Sequence, residues 1–87
     1  MNGTIMIFAI FDQKAQAFMR PWGAPTIPFA LRIFGDMAQT DEVISKHPED
    51  YCLFKLADMS EDHGEVSPDK QSLGFAIEHL QPTEDTP

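Results

Sequence analysis

This 87-residue chain holds one cysteine, one tryptophan, one tyrosine, and only six lysines and arginines against fourteen aspartates and glutamates. The lone Cys52 excludes an intrachain disulfide and fits a reducing cytoplasm. Six cations under a net charge of −8 argue against a broad phosphate-neutralising surface. Long apolar stretches are missing too. The run Ile5-Met6-Ile7-Phe8-Ala9-Ile10-Phe11 has no basic residue before it and is too short to cross a bilayer, so neither a signal peptide nor a membrane partner is expected. No glycine-rich loop offers a phosphate cradle. His47, His63 and His79 have no partner at helical i, i+4 spacing and no cysteine nearby, so no metal or other cofactor is expected.

What is present is the material of a small core. Seven phenylalanines and a hydrophobic content of 43% separate the chain from disordered sequences. Its length suits one domain, and a domain this small buries only about 60 to 65% of its unfolded surface. Charge is uneven. Residues 1–40 carry a net of +1, whereas residues 58–87 carry a net of −7. Such an acidic half repels nucleic acid and suits either solvation or a basic protein partner.

The pattern along the chain predicts an α+β domain. Ile5 to Phe11 reads as a central strand buried on both faces. Asp12-Gln13-Lys14 turns the chain without the Asn-Gly or Asp-Gly of a tight hairpin, and Ala15 to Arg20 returns as a second strand that Pro21 ends. Trp22 to Pro25 is a connector. Thr26 is an N-cap for a helix from Ile27, with Ile27, Ala30, Leu31, Phe34, Met37 and Ala38 on one stripe. Asp41 to Asp50 is a polar loop closed by Pro48. Tyr51 to Leu56 alternates as a strand, with Cys52, Phe54 and Leu56 placed inward. Asp58 to Gly64 is a hairpin loop, and Glu65 to Ser67 a short returning strand. Leu73 to Leu80 fits either a strand or a short helix, with the strand favoured. Residues 1–80 form the domain, and Gln81 to Pro87 is an acidic tail expected to be disordered.

Chemistry is sparse. Asp62, His63 and Glu65 read as a charged turn rather than a cation site. Cys52 reads as a small buried hydrophobe in an apolar strand rather than a nucleophile. Glu49 and Asp50, placed on a strand, would point to opposite faces and could not share acid–base work. No enzyme is expected. One constellation stands out: Lys14, Phe18, Arg20 and Trp22, with Arg32. If residues 16–22 are extended, Gln16, Phe18, Arg20 and Trp22 share a face on which aromatics stack bases and cations hold phosphates. The alternative is that Phe18 and Trp22 belong to the core and Arg20 to its rim.

Two phrases of this chain, Ile10-Phe11-Asp12-Gln13-Lys14-Ala15-Gln16-Ala17-Phe18-Met19-Arg20-Pro21 and His47-Pro48-Glu49-Asp50-Tyr51-Cys52-Leu53-Phe54-Lys55-Leu56, closely resemble a small non-structural protein family of gokushoviruses. These are tailless icosahedral single-stranded-DNA phages of the Microviridae. Ala30-Leu31-Arg32-Ile33-Phe34 matches the family's helix, and Glu61-Asp62-His63-Gly64 its acidic turn. The likeness spans about residues 5–66. Trp22 stands where that family usually has Phe. The resemblance implies a role in viral single-stranded-DNA synthesis or packaging and carries over no catalytic residue.

The expectations are therefore a mostly antiparallel sheet of about four strands with one principal helix packed on it, and self-association into a homo-oligomer. In function, a viral accessory factor is expected in the cytoplasm of the infected bacterial host. It would contact single-stranded DNA through Lys14, Phe18, Arg20, Trp22 and Arg32, or contact viral replication or packaging proteins. The rival expectation is a protein-interaction adapter acting through Glu49, Asp50, Asp58, Glu61 and Asp62.

Overall fold

The computed structural model describes residues 3–80, so the expected tail at 81–87 lies outside the described residues. The architecture is α+β. Strand β1 (Thr4–Asp12) is followed by β2 (Ala17–Phe18), β3 (Trp22–Ala24), helix α1 (Ile27–Thr40), β4 (Tyr51–Ser60) and β5 (Val66–Phe75). Short 3-10 turns occupy Ile44–Lys46 and Ala76–His79. All strand pairings are antiparallel, in the order β2-β1-β4-β5, with β3 also on β1. The apolar run is thus a central strand: β4 flanks one side, and β2 and β3 share the other.

Helix α1 packs on one face only. Thr26 caps it, accepting from the Phe29 amide at 3.2 Å, and Pro28 falls in the first turn where no amide partner is needed. Ala30, Phe34 and Ala38 descend onto Phe8, Ile10, Tyr51 and Leu53, joined by Ile44 and Ala76 from the two 3-10 turns. Asp41 holds the first of these turns, its carboxylate accepting from the Val43 and Ile44 amides. All helical elements therefore serve the same core. Among the described residues nothing covers the opposite sheet face.

Several local expectations are corrected. The inward residues of β4 are Tyr51 and Leu53, not Phe54, which is half-buried on the far face, nor Leu56, which is half-buried at a bulge outside that core. Cys52 is buried, though outside the helix-side core, with its thiol 3.4 Å from the Ser72 hydroxyl. The return strand β2 is two residues long, because residues 13–16 form the turn. In that turn the Asp12 carboxylate accepts from the Lys14 and Ala15 amides, and Gln16 takes a positive φ of 57°. Trp22–Ala24 is a strand rather than a connector. Pro21 interrupts the edge, and pairing resumes beyond it.

β5 runs ten residues, not three, and ends where the second 3-10 turn begins, so the 73–80 segment is part strand and part helical turn. Its first seven residues are exposed and, apart from Val66 and Pro68, polar, which hid it from hydrophobic patterning. Gly64 turns the hairpin with φ +72°. Gly74, at φ +103°, makes the kink into the last turn, which is tied back by His79 Nε2 donating to the Leu73 carbonyl at 2.8 Å. The β4–β5 arm extends past the helix. The radius of gyration, 14.1 Å, accordingly exceeds the roughly 12 Å of a compact domain of this length.

Candidate functional site

The edge strand decides where the aromatic residues go. Phe18 pairs with Phe11 and Trp22 with Phe8. Phe18 and Trp22 are four positions apart, but their partners on β1 are only three positions apart. The extra residue falls in the Met19–Pro21 interruption, and an odd slip reverses the face on which side chains emerge. Trp22 therefore turns to the helix side and stacks on Phe8 at 6.2 Å between ring centroids. Its indole Nε1–H is buried and meets no acceptor among the described residues. Phe18 turns to the open side. Phe18, Arg20 and Trp22 do not form one face.

The open side carries a different constellation. Phe18 lies 4.9 Å from Phe11 and 5.5 Å from Phe54, and Phe11 and Phe54 meet edge-on at 6.3 Å. These tilted and edge contacts are the favourable aromatic geometries. The Lys70 ammonium stands 5.6 Å from the Phe18 ring and 5.3 Å from the Phe54 ring, within cation–π range. Phe18 is 42% exposed, and Phe11 and Phe54 are half-buried. A three-ring platform with a cation at its margin thus lies on the sheet face that no helix covers. Sequence reading found Phe18 alone. The alternation of Phe11 with Ile10, and of Phe54 with Leu53, carried the signal for the other two rings. Lys70 had none, because the expected returning strand stopped at Ser67, three residues short of it.

An ion network built on one buried lysine and two partly exposed carboxylates braces the strand that presents Lys70. Lys55 is 4% exposed, with its ammonium 2.7 Å from the Asp69 carboxylate and 3.1 Å from that of Asp58. Gln71 Nε2 donates to the same Asp69 oxygen at 3.0 Å. The hydrogen bond from Lys55, then that from Gln71, holds the Asp69 carboxyl below its usual range. The bond to Asp69 chiefly raises Lys55, against the opposing effect of burial. Between the partners of Lys55 and Ala57, β5 carries one residue more than β4. Asp69 and Lys70 lie in that bulge. Asp69 reaches Lys55, while Lys70 reaches the rings on the other face.

The remaining sequence candidates are dispersed. Lys14 is in the β1–β2 turn, Arg20 at the edge interruption, and Arg32 on the outside of α1, all exposed. Among the acids, Asp58 is engaged by Lys55, whereas Glu61 and Asp62 are exposed at the arm tip. Glu49 and Asp50 lie in the turn before β4, at the other end of a ten-residue strand roughly 30 Å long. They lie in the polar loop expected over Asp41 to Asp50, outside any strand. Their carboxylates and the His47 ring are placed so that one potential ligand atom from each lies within 4.8 Å of the others. Two of the three side chains are exposed, as such acidic turns commonly are. Asp12, Asp50 and Asp41, after burial itself, raise the Tyr51 phenol above its usual value.

A family model described as Phage ORF5 protein matches residues 5–79, and the chain belongs to that family of phage proteins. No curated protein and no solved structure matches it.

Proposed function

From its membership of a phage protein family, we propose that this chain is a non-enzymatic accessory factor in gokushovirus single-stranded-DNA replication or packaging, acting in the cytoplasm of the infected host. It binds single-stranded DNA on its open sheet face. The observation that carries this reading is the Phe11–Phe18–Phe54 platform with Lys70 beside it. Exposed rings accept bases of any identity by stacking, and a marginal cation meets the adjacent phosphate. The sequence-level set is revised accordingly. Phe18 remains, Phe11, Phe54 and Lys70 join it, and Trp22 leaves it. Lys14 and Arg20 serve as outlying cations, and Arg32 is removed to the helix layer.

With one cation at the platform and a strongly negative chain, binding is weak and confined to low salt. Two neutralised phosphates give a logarithmic salt slope of only about −1.4 for a single strand. Fluorescence anisotropy of a labelled oligonucleotide at low ionic strength tests this reading. Saturable binding in the micromolar range supports it, and no binding at high micromolar protein removes the DNA part. The exposed Glu61 and Asp62 at the arm tip favour a second reading, an adapter docking a basic viral protein. Neutralising both acids and finding every captured partner still bound removes that one.

A further inference from the structure

Helix α1 has a second apolar flank that the core does not use. Phe29 is 51% exposed and Ile33 is half-buried. With Thr26, Pro28, Arg32 and Asp36 they line an open depression of about 330 Å³. Arg32 and Asp36 are exposed, and neither has an ion-pair partner among the described residues. They stand at i, i+4 with the cation first, the less favourable order for pairing within one helix. One flank thus offers a cation, an anion one turn on, and uncovered apolar surface between and before them.

That arrangement is self-complementary. When two copies of α1 run antiparallel across a two-fold axis near residue 34, Arg32 of each copy meets Asp36 of the other. Both pairs form at once, and the apolar depression closes between them. An isologous interface requires this property, in which a residue contacts its complement and the reverse holds identically. A foreign partner of either charge sign would match one of the two groups and oppose the other. The sheet face makes a poorer dimer surface, because a two-fold axis through the platform would bring Lys70 towards its own copy.

We propose that the outer flank of α1, centred on Phe29, Arg32, Ile33 and Asp36, joins two copies of this chain into an antiparallel dimer. The proposal is independent of the DNA reading, since α1 lies across the sheet from the aromatic platform, and a dimer built this way leaves both platforms open on its outer sides. A helix of fourteen residues is about 21 Å long, a smaller contact than the roughly 800 Å² per partner of a standard stable interface. The dimer is therefore concentration-dependent, dissociating in the micromolar range.

Sedimentation velocity across micromolar to millimolar protein tests it, with the mass expected to rise from 9.8 kDa towards twice that value. Arg32→Asp and Asp36→Arg are each expected to raise the dimer Kd roughly tenfold or more, because each converts two attractive contacts into repulsive ones. The double reversal is expected to restore dimerisation. Phe29→Ser, monitored by circular dichroism to confirm folding, is expected to weaken it without any charge change. A chain that stays monomeric at millimolar concentration overturns the proposal. So does a dimer that neither reversal weakens, or one that the double reversal fails to restore.

Discussion

Replacing Phe18 by alanine separates the binding role of the platform from its role in stability. The ring is 42% exposed, so it buries somewhat over half of its surface. Full burial of a phenylalanine contributes about 1.5–3 kcal/mol, so the transfer lost is roughly 1–2 kcal/mol. The ring contacts with Phe11 at 4.9 Å and Phe54 at 5.5 Å add about 0.5–1.5 kcal/mol between them. The variant should therefore lose about 2–3 kcal/mol and about 10–20 °C in Tm, a large fraction of what a domain this small possesses but short of unfolding it in the cold. Binding should suffer independently. Loss of one stacking surface costs about 1–3 kcal/mol per base, a weakening of roughly 5- to 150-fold. Trp22, the single tryptophan, packs on the helix side, so its emission reports folding and not occupancy of the platform. Anisotropy titrations at low temperature, with Trp22 emission recorded in parallel, give both quantities from one sample. Parent-like affinity in folded Phe18→Ala would refute the reasoning. Quenching of Trp22 by bound oligonucleotide would refute it too, since the base would then lie on the wrong side of the sheet.

Trp22→Phe should leave stability within about 1 kcal/mol of the parent or raise it, measured by denaturant unfolding followed by circular dichroism. The change removes a buried donor that meets no acceptor among the described residues, which costs about 1–3 kcal/mol, and this offsets the lost ring volume. Asp69→Asn should lower stability at neutral pH and flatten its acid limb. The Asp69 carboxyl is held below its reference value of 3.8 in the folded state, so its contribution is full above that value and fades as pH falls through the folded pKa. Parent and variant should therefore converge in acid. Lys55, raised above 10.5, keeps its side of the pair charged until pH exceeds that value. Thermal melts from pH 2 to 7 check this, and a constant gap between the two proteins contradicts it. Gly74→Ala should destabilise by more than about 1 kcal/mol, because φ +103° is a backbone conformation that alanine adopts only with strain. Thermal unfolding measures the loss, and an unchanged Tm shows that the kink is not required.

Legibility followed the strength of local constraint. The β1 run, the Thr26 cap and the α1 stripe could be read directly, because a continuous apolar run marks a central strand and one buried stripe leaves a helical period, although burial of β1 on both faces was expected and its open face is covered by nothing among the described residues. The hairpin turn at Gly64 was legible for the same reason, a backbone demand answered by residue type. β5 was only half legible. An exposed edge strand buries little, so Ser67-Pro68-Asp69-Lys70-Gln71-Ser72 shows no alternation, and its hydrogen bonds come from β4 rather than from its own composition. The phase of β4 was misread because Tyr51-Cys52-Leu53-Phe54 is apolar on both parities, and only the position of α1 selects Tyr51 and Leu53 for the core.

The candidate site shows the same division. By itself the sequence determined that Phe18 and its neighbours were worth attention, that catalytic and metal chemistry had no clear motif, and that a central apolar strand and one amphipathic helix would build an α+β domain. Tertiary structure alone decided which aromatics share a surface. A single extra residue in the Met19–Pro21 interruption sends Trp22 inward and leaves Phe18 outside, since side chains along a strand alternate with a period of two and an odd slip exchanges the faces. Lys70 reaches Phe18 only because a bulge held by the Lys55–Asp69 pair brings together residues some fifty positions apart in the chain, a proximity that no local pattern records.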